Sequence, residues 1–162
     1  MDNGLWTEKF SEKPITGRVY IKFGEKDNLK KVYFGNLLNG KKEGRWTIWY
    51  KNGKKKSEET WKDGKEDGLF TEWNENGKKK IEITIKDGEI DGLSTNWYEN
   101  GQKKSVKTFK DGEINGLWTD WYGKGQKKSE INYKKGKLIS YKYWNEDGSV
   151  NKEWNEDGSV KE

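Results

Sequence analysis

The chain has 162 residues, with 33 Lys and Arg against 28 Asp and Glu for a net charge of +5, and it contains no His and no Cys. This excludes His- and Cys-dependent catalysis, thiolate or imidazole zinc sites and disulfides, and no window approaches the ~18 apolar residues of a membrane-spanning helix. Leu, Ile, Val and Phe total only 28 residues, a level typical of disordered chains, but 10 Trp, 8 Tyr and near-balanced charge do not suit a solvating tail; the aromatic residues must form the core, a binding surface or both.

In chain order, residues 1–43 read as a degenerate N-terminal cap. Gly4-Leu5-Trp6-Thr7-Glu8 has the form of a repeat opening, and Gly17 to Gly44 that of a stretched unit. The N-terminus carries no basic region followed by an apolar stretch, so a cytoplasmic protein without an export signal is expected. Residues 44–139 hold four regular units. Gly44, Gly68, Gly92 and Gly116 recur every 24 residues and start the same template, with an invariant Thr column (Thr47, Thr71, Thr95, Thr119) and an invariant Trp column (Trp49, Trp73, Trp97, Trp121). Residues 140–162 read as an incomplete C-terminal unit or cap, in which Trp144-Asn145-Glu146-Asp147-Gly148-Ser149-Val150 recurs from Trp154 to Val160.

Each unit has two turn signals. The first is Asn-Gly at Gly53, Gly77 and Gly101, drifting to Lys124-Gly125; the second is Asp-Gly at Gly64, Gly88 and Gly112, drifting to Lys135-Gly136. Such dipeptides between alternating segments predict hairpins closed by type I′ turns, so each unit is two strands. Leu69, Thr71 and Trp73 then share one face of the first strand, and Ile81, Ile83 and Ile85 share one face of the second. The predicted fold is all-β: an elongated, single-sheet meander of tandem antiparallel hairpins, advancing ~10 Å per unit.

The Gly-Leu-x-Thr-x-Trp-Tyr-x-Asn-Gly-x-Lys-Lys pattern closed by Tyr/Phe-Lys-Asp-Gly resembles bacterial variant MORN repeats, well from Gly44 to Ile139 and loosely on either side. The resemblance implies an elongated sheet of hairpins. It also implies a binding role, since bacterial proteins built wholly from this variant are labelled antitoxins of the YwqK type. Repeats of this kind supply surfaces rather than reactions.

Three features carry candidate chemistry. The Thr and Trp columns form a ladder whose indoles either stack on a ligand or pack on one another and on the Ile/Phe/Tyr column as the core. The opposite, variable face offers Trp46, Tyr50, Phe70, Tyr98, Trp118 and Tyr122 for partner contacts. A basic edge gathers Lys54, Lys55, Lys56, Lys78, Lys79, Lys80, Lys103, Lys104, Lys127 and Lys128, either to meet a phosphate backbone or acidic protein or to keep sheet edges from aggregating. The Lys-Asp-Gly-Glu-Ile-Asp-Gly turns lack the Asp spacing of a calcium loop, so no metal or cofactor is expected, and no catalytic residues. The leading expectation is a non-enzymatic protein that binds and occludes a protein partner, antitoxin-like or an inhibitor of a toxin or nuclease, a phage-encoded one included. RNA or single-stranded nucleic acid binding through the Lys edge is one alternative. Surface glycan binding is another, since the Trp-Tyr-x-Asn-Gly hairpins also resemble choline-binding repeats.

Overall fold

A computed structural model describes residues 15–23, 30–155 and 160–161. The candidate repeat opening at Gly4–Glu8 and most of the second copy of the C-terminal tandem lie outside them. The described residues contain no helix and form one open antiparallel sheet in which sequence neighbours pair in order. The N-terminal hairpin is β1 (Gly17–Phe23) with β2 (Lys30–Leu38). Four regular hairpins follow: β3 (Lys41–Trp49) with β4 (Lys55–Lys62), β6 (Gly68–Trp73) with β7 (Lys79–Lys86), β8 (Glu89–Trp97) with β9 (Lys103–Lys110), and β10 (Glu113–Trp121) with β11 (Lys127–Lys134). The two-residue β5 (Lys65–Glu66) pairs with β4 just before β6. The sheet ends with β12 (Lys137–Trp144), β13 (Val150–Asn155) and β14 (Val160–Lys161).

The two turn classes are built differently. At the Asp-Gly turns both central residues have positive φ, as in Asp63 (51°) and Gly64 (82°), which is the type I′ geometry expected from sequence. The Asn-Gly turns depart from that expectation. There only the Gly is left-handed, the Gly77 amide donates to the Asn74 carbonyl and the Asn74 amide to the Lys78 carbonyl. This is a type I turn closed by a left-handed Gly, with an adjacent bulge at Glu72/Trp73. The Asn side chain explains the choice: Asn76 Oδ1 accepts the Lys78 amide at 2.8 Å, an arrangement that favours Asn before Gly without requiring positive φ.

A second bulge recurs at the repeat glycines. Between Ile83↔Ser94 and Ile85↔Ile90 one strand advances two residues and its partner four, and the same offset recurs between Ile114 and Trp118. The extra residues are accommodated by glycine with φ of 129° at Gly68, where a Cβ would stand 2.8 Å from the Thr60 Cβ.

Register assigns the faces, because directly paired residues point to the same side. Thr71 pairs with Glu82, while Phe70 pairs with Ile83 and Glu72 with Ile81. The Ile column therefore lies opposite the Trp column. The expectation that the indoles of Trp49, Trp73, Trp97 and Trp121 pack on that column is corrected: they lie on what we term the threonine face, and Phe70 and the Ile residues lie on an aromatic face. With no second layer, only small side chains beneath longer neighbours become inaccessible. Thr47, Thr71, Thr95 and Thr119 are buried on one face, and Ser57, Ser94, Ser105 and Ser129 on the other. Among large apolar residues only Leu37, Ile131 and Trp46 are buried in the described residues, while Leu69, Leu93 and Leu117 stand exposed on the threonine face.

Candidate interaction surfaces

At the basic edge most lysines are held within the array. Lys54 Nζ donates to the Asn76 carbonyl at 3.0 Å and Lys78 Nζ to the Asn100 carbonyl at 2.9 Å, so the lysines of the first two regular units each seal the following unit's turn. Lys55, Lys79 and Lys127 pair with Glu58, Glu82 and Glu130 on the threonine face, and Lys80 pairs with Glu72 at 2.9 Å. Lys104 and Lys128 lie 5.7 Å from the Tyr98 and Tyr122 rings. Lys56 and Lys103 are exposed at the same edge.

The Trp ladder is capped by cations of the preceding hairpin: Lys55 stands 5.6 Å over Trp73, Lys79 5.5 Å over Trp97 and Lys127 5.9 Å over Trp144. The ladder thus continues to Trp144, beyond the four columns legible as regular repeats.

The residues expected on the partner-binding face divide into three groups. Trp46 is 2 % exposed and is no contact residue. The β2–β3 pairing spans only Leu38↔Lys41 to Asn36↔Glu43, and where the strands part the indole fills the gap. It lies against Gly35, where a Cβ would come within 2.2 Å of the ring, stands edge-on to Phe34 and donates from Nε1 to the Asn36 carbonyl. Tyr50, Tyr98 and Tyr122 tie units together, their hydroxyls donating to the carbonyls of Trp73, Trp121 and Trp144 at 2.7, 2.7 and 2.8 Å. Phe70 and Trp118 alone among the six lie half-buried on the aromatic face.

That face also carries the Ile/Phe/Tyr column, which the sequence reading assigned to the core beneath the Trp column rather than to the partner face. Ile85, Ile90, Phe109 and Ile114 continue it in paired register. Trp118 stacks with Tyr133 at 6.2 Å, and Tyr141 with Trp154 at 5.9 Å. At its N-terminal end Lys42 lies 4.0 Å over Trp61 and 4.9 Å over Trp46, near Glu59. Desolvation there, reinforced by Glu59 and opposed by Lys42, raises the Glu66 carboxyl above its ordinary range.

At the other edge of the sheet the carboxylates work as caps. The Asp63 amide donates to Glu43 Oε2 at 2.9 Å, and Asp91 Oδ2 accepts from Lys110 Nζ at 2.6 Å. The Lys110 bond, helped by the Asp111 amide, holds the Asp91 carboxyl below its usual range. Among the described residues no His, Cys, Asp or Glu group is arranged to hold a metal ion, and no helix is long and apolar enough to cross a membrane.

The signature of the family described as "MORN repeat variant" matches residues 42–63, 66–87, 90–111 and 114–135, more than half of the chain. No curated protein matches the sequence.

Proposed function

This chain belongs to the MORN repeat variant family, and from that membership and the surfaces above we propose that it is a non-enzymatic scaffold that binds and occludes a protein partner through its aromatic face. One observation carries the reading: half-buried aromatic and branched side chains run across successive hairpins on one side of a single-layer sheet, with nothing among the described residues laid over them. Interfaces favour such aromatic surfaces, whose area comes at low entropic cost. The lysine edge supports this choice over nucleic acid, because most of its cations are already engaged by carboxylates and turn carbonyls, which leaves fewer to neutralise phosphates. The finer reading, taken from the family resemblance, is an antitoxin-like or inhibitory role in the cytoplasm against a toxin or nuclease.

The test is capture from native-host lysate by the tagged chain, with and without nuclease treatment. The expected result is a stoichiometric protein retained after nuclease digestion. Ile83→Lys with Phe109→Lys should reduce its capture at least tenfold, while Leu93→Lys, on the exposed threonine face, should leave it intact. Equal loss from both faces, or material that disappears with the nucleic acid, would count against the reading.

A further inference from the structure

The third regular unit differs from its neighbours at the positions that matter on the aromatic face. The column that reads Trp46, Phe70 and Trp118 elsewhere has Ser94. The column that reads Glu59, Ile83 and Ile131 has Lys107, and where Glu72 and Asp120 stand it has neutral Asn96. Beside these residues lies a depression of about 420 Å³ bounded by Lys80, Asn96, Lys104, Lys107, Asp120 and the Trp118 ring.

At its floor lies Ser105, 7 % exposed, whose Oγ has no hydrogen-bond partner. Register places this hydroxyl between Asn96 and Asp120. Asp120 is turned away from it: Oδ1 accepts the Trp118 indole N–H at 2.8 Å and Oδ2 the Ser129 hydroxyl at 3.1 Å. Ser129, the equivalent serine one unit later, is thereby satisfied where Ser105 is not. A buried hydroxyl left unpaired in a roomy, polar-rimmed depression is an exception that calls for a missing partner.

Charge identifies that partner. Lys80 is offset by Glu72, but Lys104 and Lys107 face aromatic rings, Lys107 lying 4.0 Å over Trp118. Asp120, the one carboxylate in the lining, has both oxygens occupied. We infer that this notch binds a carboxylate, supplied by an Asp or Glu side chain of the protein partner, with one oxygen accepting from Ser105 Oγ and the other from Lys107 Nζ while the adjoining methylenes lie on Trp118. The single negative charge and two acceptor oxygens of a carboxylate match one hydroxyl and one ammonium donor; a phosphate dianion would have fewer donors per oxygen and meet stronger repulsion from Asp120. The inference deepens the protein-binding reading and rests on it for the source of the carboxylate.

The probe is acetyl-Ala-Glu-Ala-amide titrated into the full chain, followed by amide and indole NMR shifts, with acetyl-Ala-Gln-Ala-amide, acetate and inorganic phosphate as comparisons. Saturable shifts at Ser105, Lys107 and the Trp118 indole with the Glu peptide, at most weak ones with the Gln peptide, are expected. Ser105→Ala and Lys107→Gln should each weaken binding about tenfold, the scale of one hydrogen bond to a charged group. Ser105→Ala should at the same time leave the melting temperature equal or higher, because it deletes an unsatisfied group; a merely structural serine would lower it. Acetate matching the Glu peptide would overturn the side-chain source, and phosphate saturating more tightly than either would overturn the carboxylate. Equal binding of the Gln peptide, or unaltered binding by both variants, would overturn the site. Partner capture undiminished in both variants would overturn it too while leaving the wider reading standing, whereas a saturating Glu peptide with no protein captured would sustain the notch and remove the wider reading.

Discussion

Trp46 shows how much a single residue can decide in a sheet without a second layer. It is one of three buried hydrophobic side chains among the described residues, and it fills the space where β2 leaves β3. Trp46→Ala should cost about 3–5 kcal/mol, read by denaturant titration, with the loss confined to the N-terminal hairpin: amides of β10 to β12 should keep their hydrogen-exchange protection. The titrating residues act on a smaller scale and in opposite directions. Asp91 has a folded-state pKa depressed chiefly by Lys110, so its stabilisation is present above the ordinary carboxylate range and lost as pH falls through the lowered pKa. Glu66 has a raised pKa, so its ionised form weighs against the fold at neutral pH and that penalty disappears on acidification. Melting curves should therefore show Asp91→Asn lowering the transition at pH 7 with the difference vanishing in strong acid. Glu66→Gln should raise it at pH 7, with the gain fading at low pH.

At the level of strands and turns, the hairpins were legible because Gly, Asn and Asp recur where the chain must reverse. The type I′ prediction held where Asp and Gly both take positive φ and failed at the Asn-Gly turns, where the Asn side chain satisfies the turn and only Gly goes left-handed. The face error had a different origin. Periodicity of two identifies which residues of one strand share a side but says nothing about its partner. The pairing was nonetheless implicit, since reversal about Asn76-Gly77 places odd residues opposite even ones, and Ile81 and Ile83 opposite Glu72 and Phe70. No comparable signal marked Tyr50, Tyr98 and Tyr122 as ties between units, because their hydroxyls meet backbone carbonyls, which carry no side-chain identity. Tyr98→Phe removes one such tie and should cost about 0.5–1.5 kcal/mol by denaturant titration. The notch was only half legible: Ser94, Asn96 and Lys107 mark the third unit as different in the sequence, but Ser105 looks like Ser57 and Ser129 in the repeat column, and that its hydroxyl is unpaired follows from the bonds Asp120 makes elsewhere.

Across the described residues, strands pair with their neighbours in the order of the chain, and the remaining bonds reach no further than the next unit. Stability in such an array is a sum over units and their junctions. Urea unfolding followed by hydrogen exchange should show segmental loss rather than one transition, with amides of the four regular hairpins outlasting those of β1 and β13. The junctions also have a direction. At one edge the earlier unit donates, through Lys54, Tyr50 and Asn52, to carbonyls of the later one; at the other, the later Gly64, Gly88, Gly112 and Gly136 amides donate back to the earlier strand. A lattice in which each edge keeps one donor direction from junction to junction has no preferred length. A tandem duplication of 72 nucleotides, encoding the 24 residues of one repeat, would add ~10 Å of ribbon with both new junctions already complementary. The gene can thus change the reach of its product by copying, and each copy, like the third unit, is then free to take on a pocket of its own.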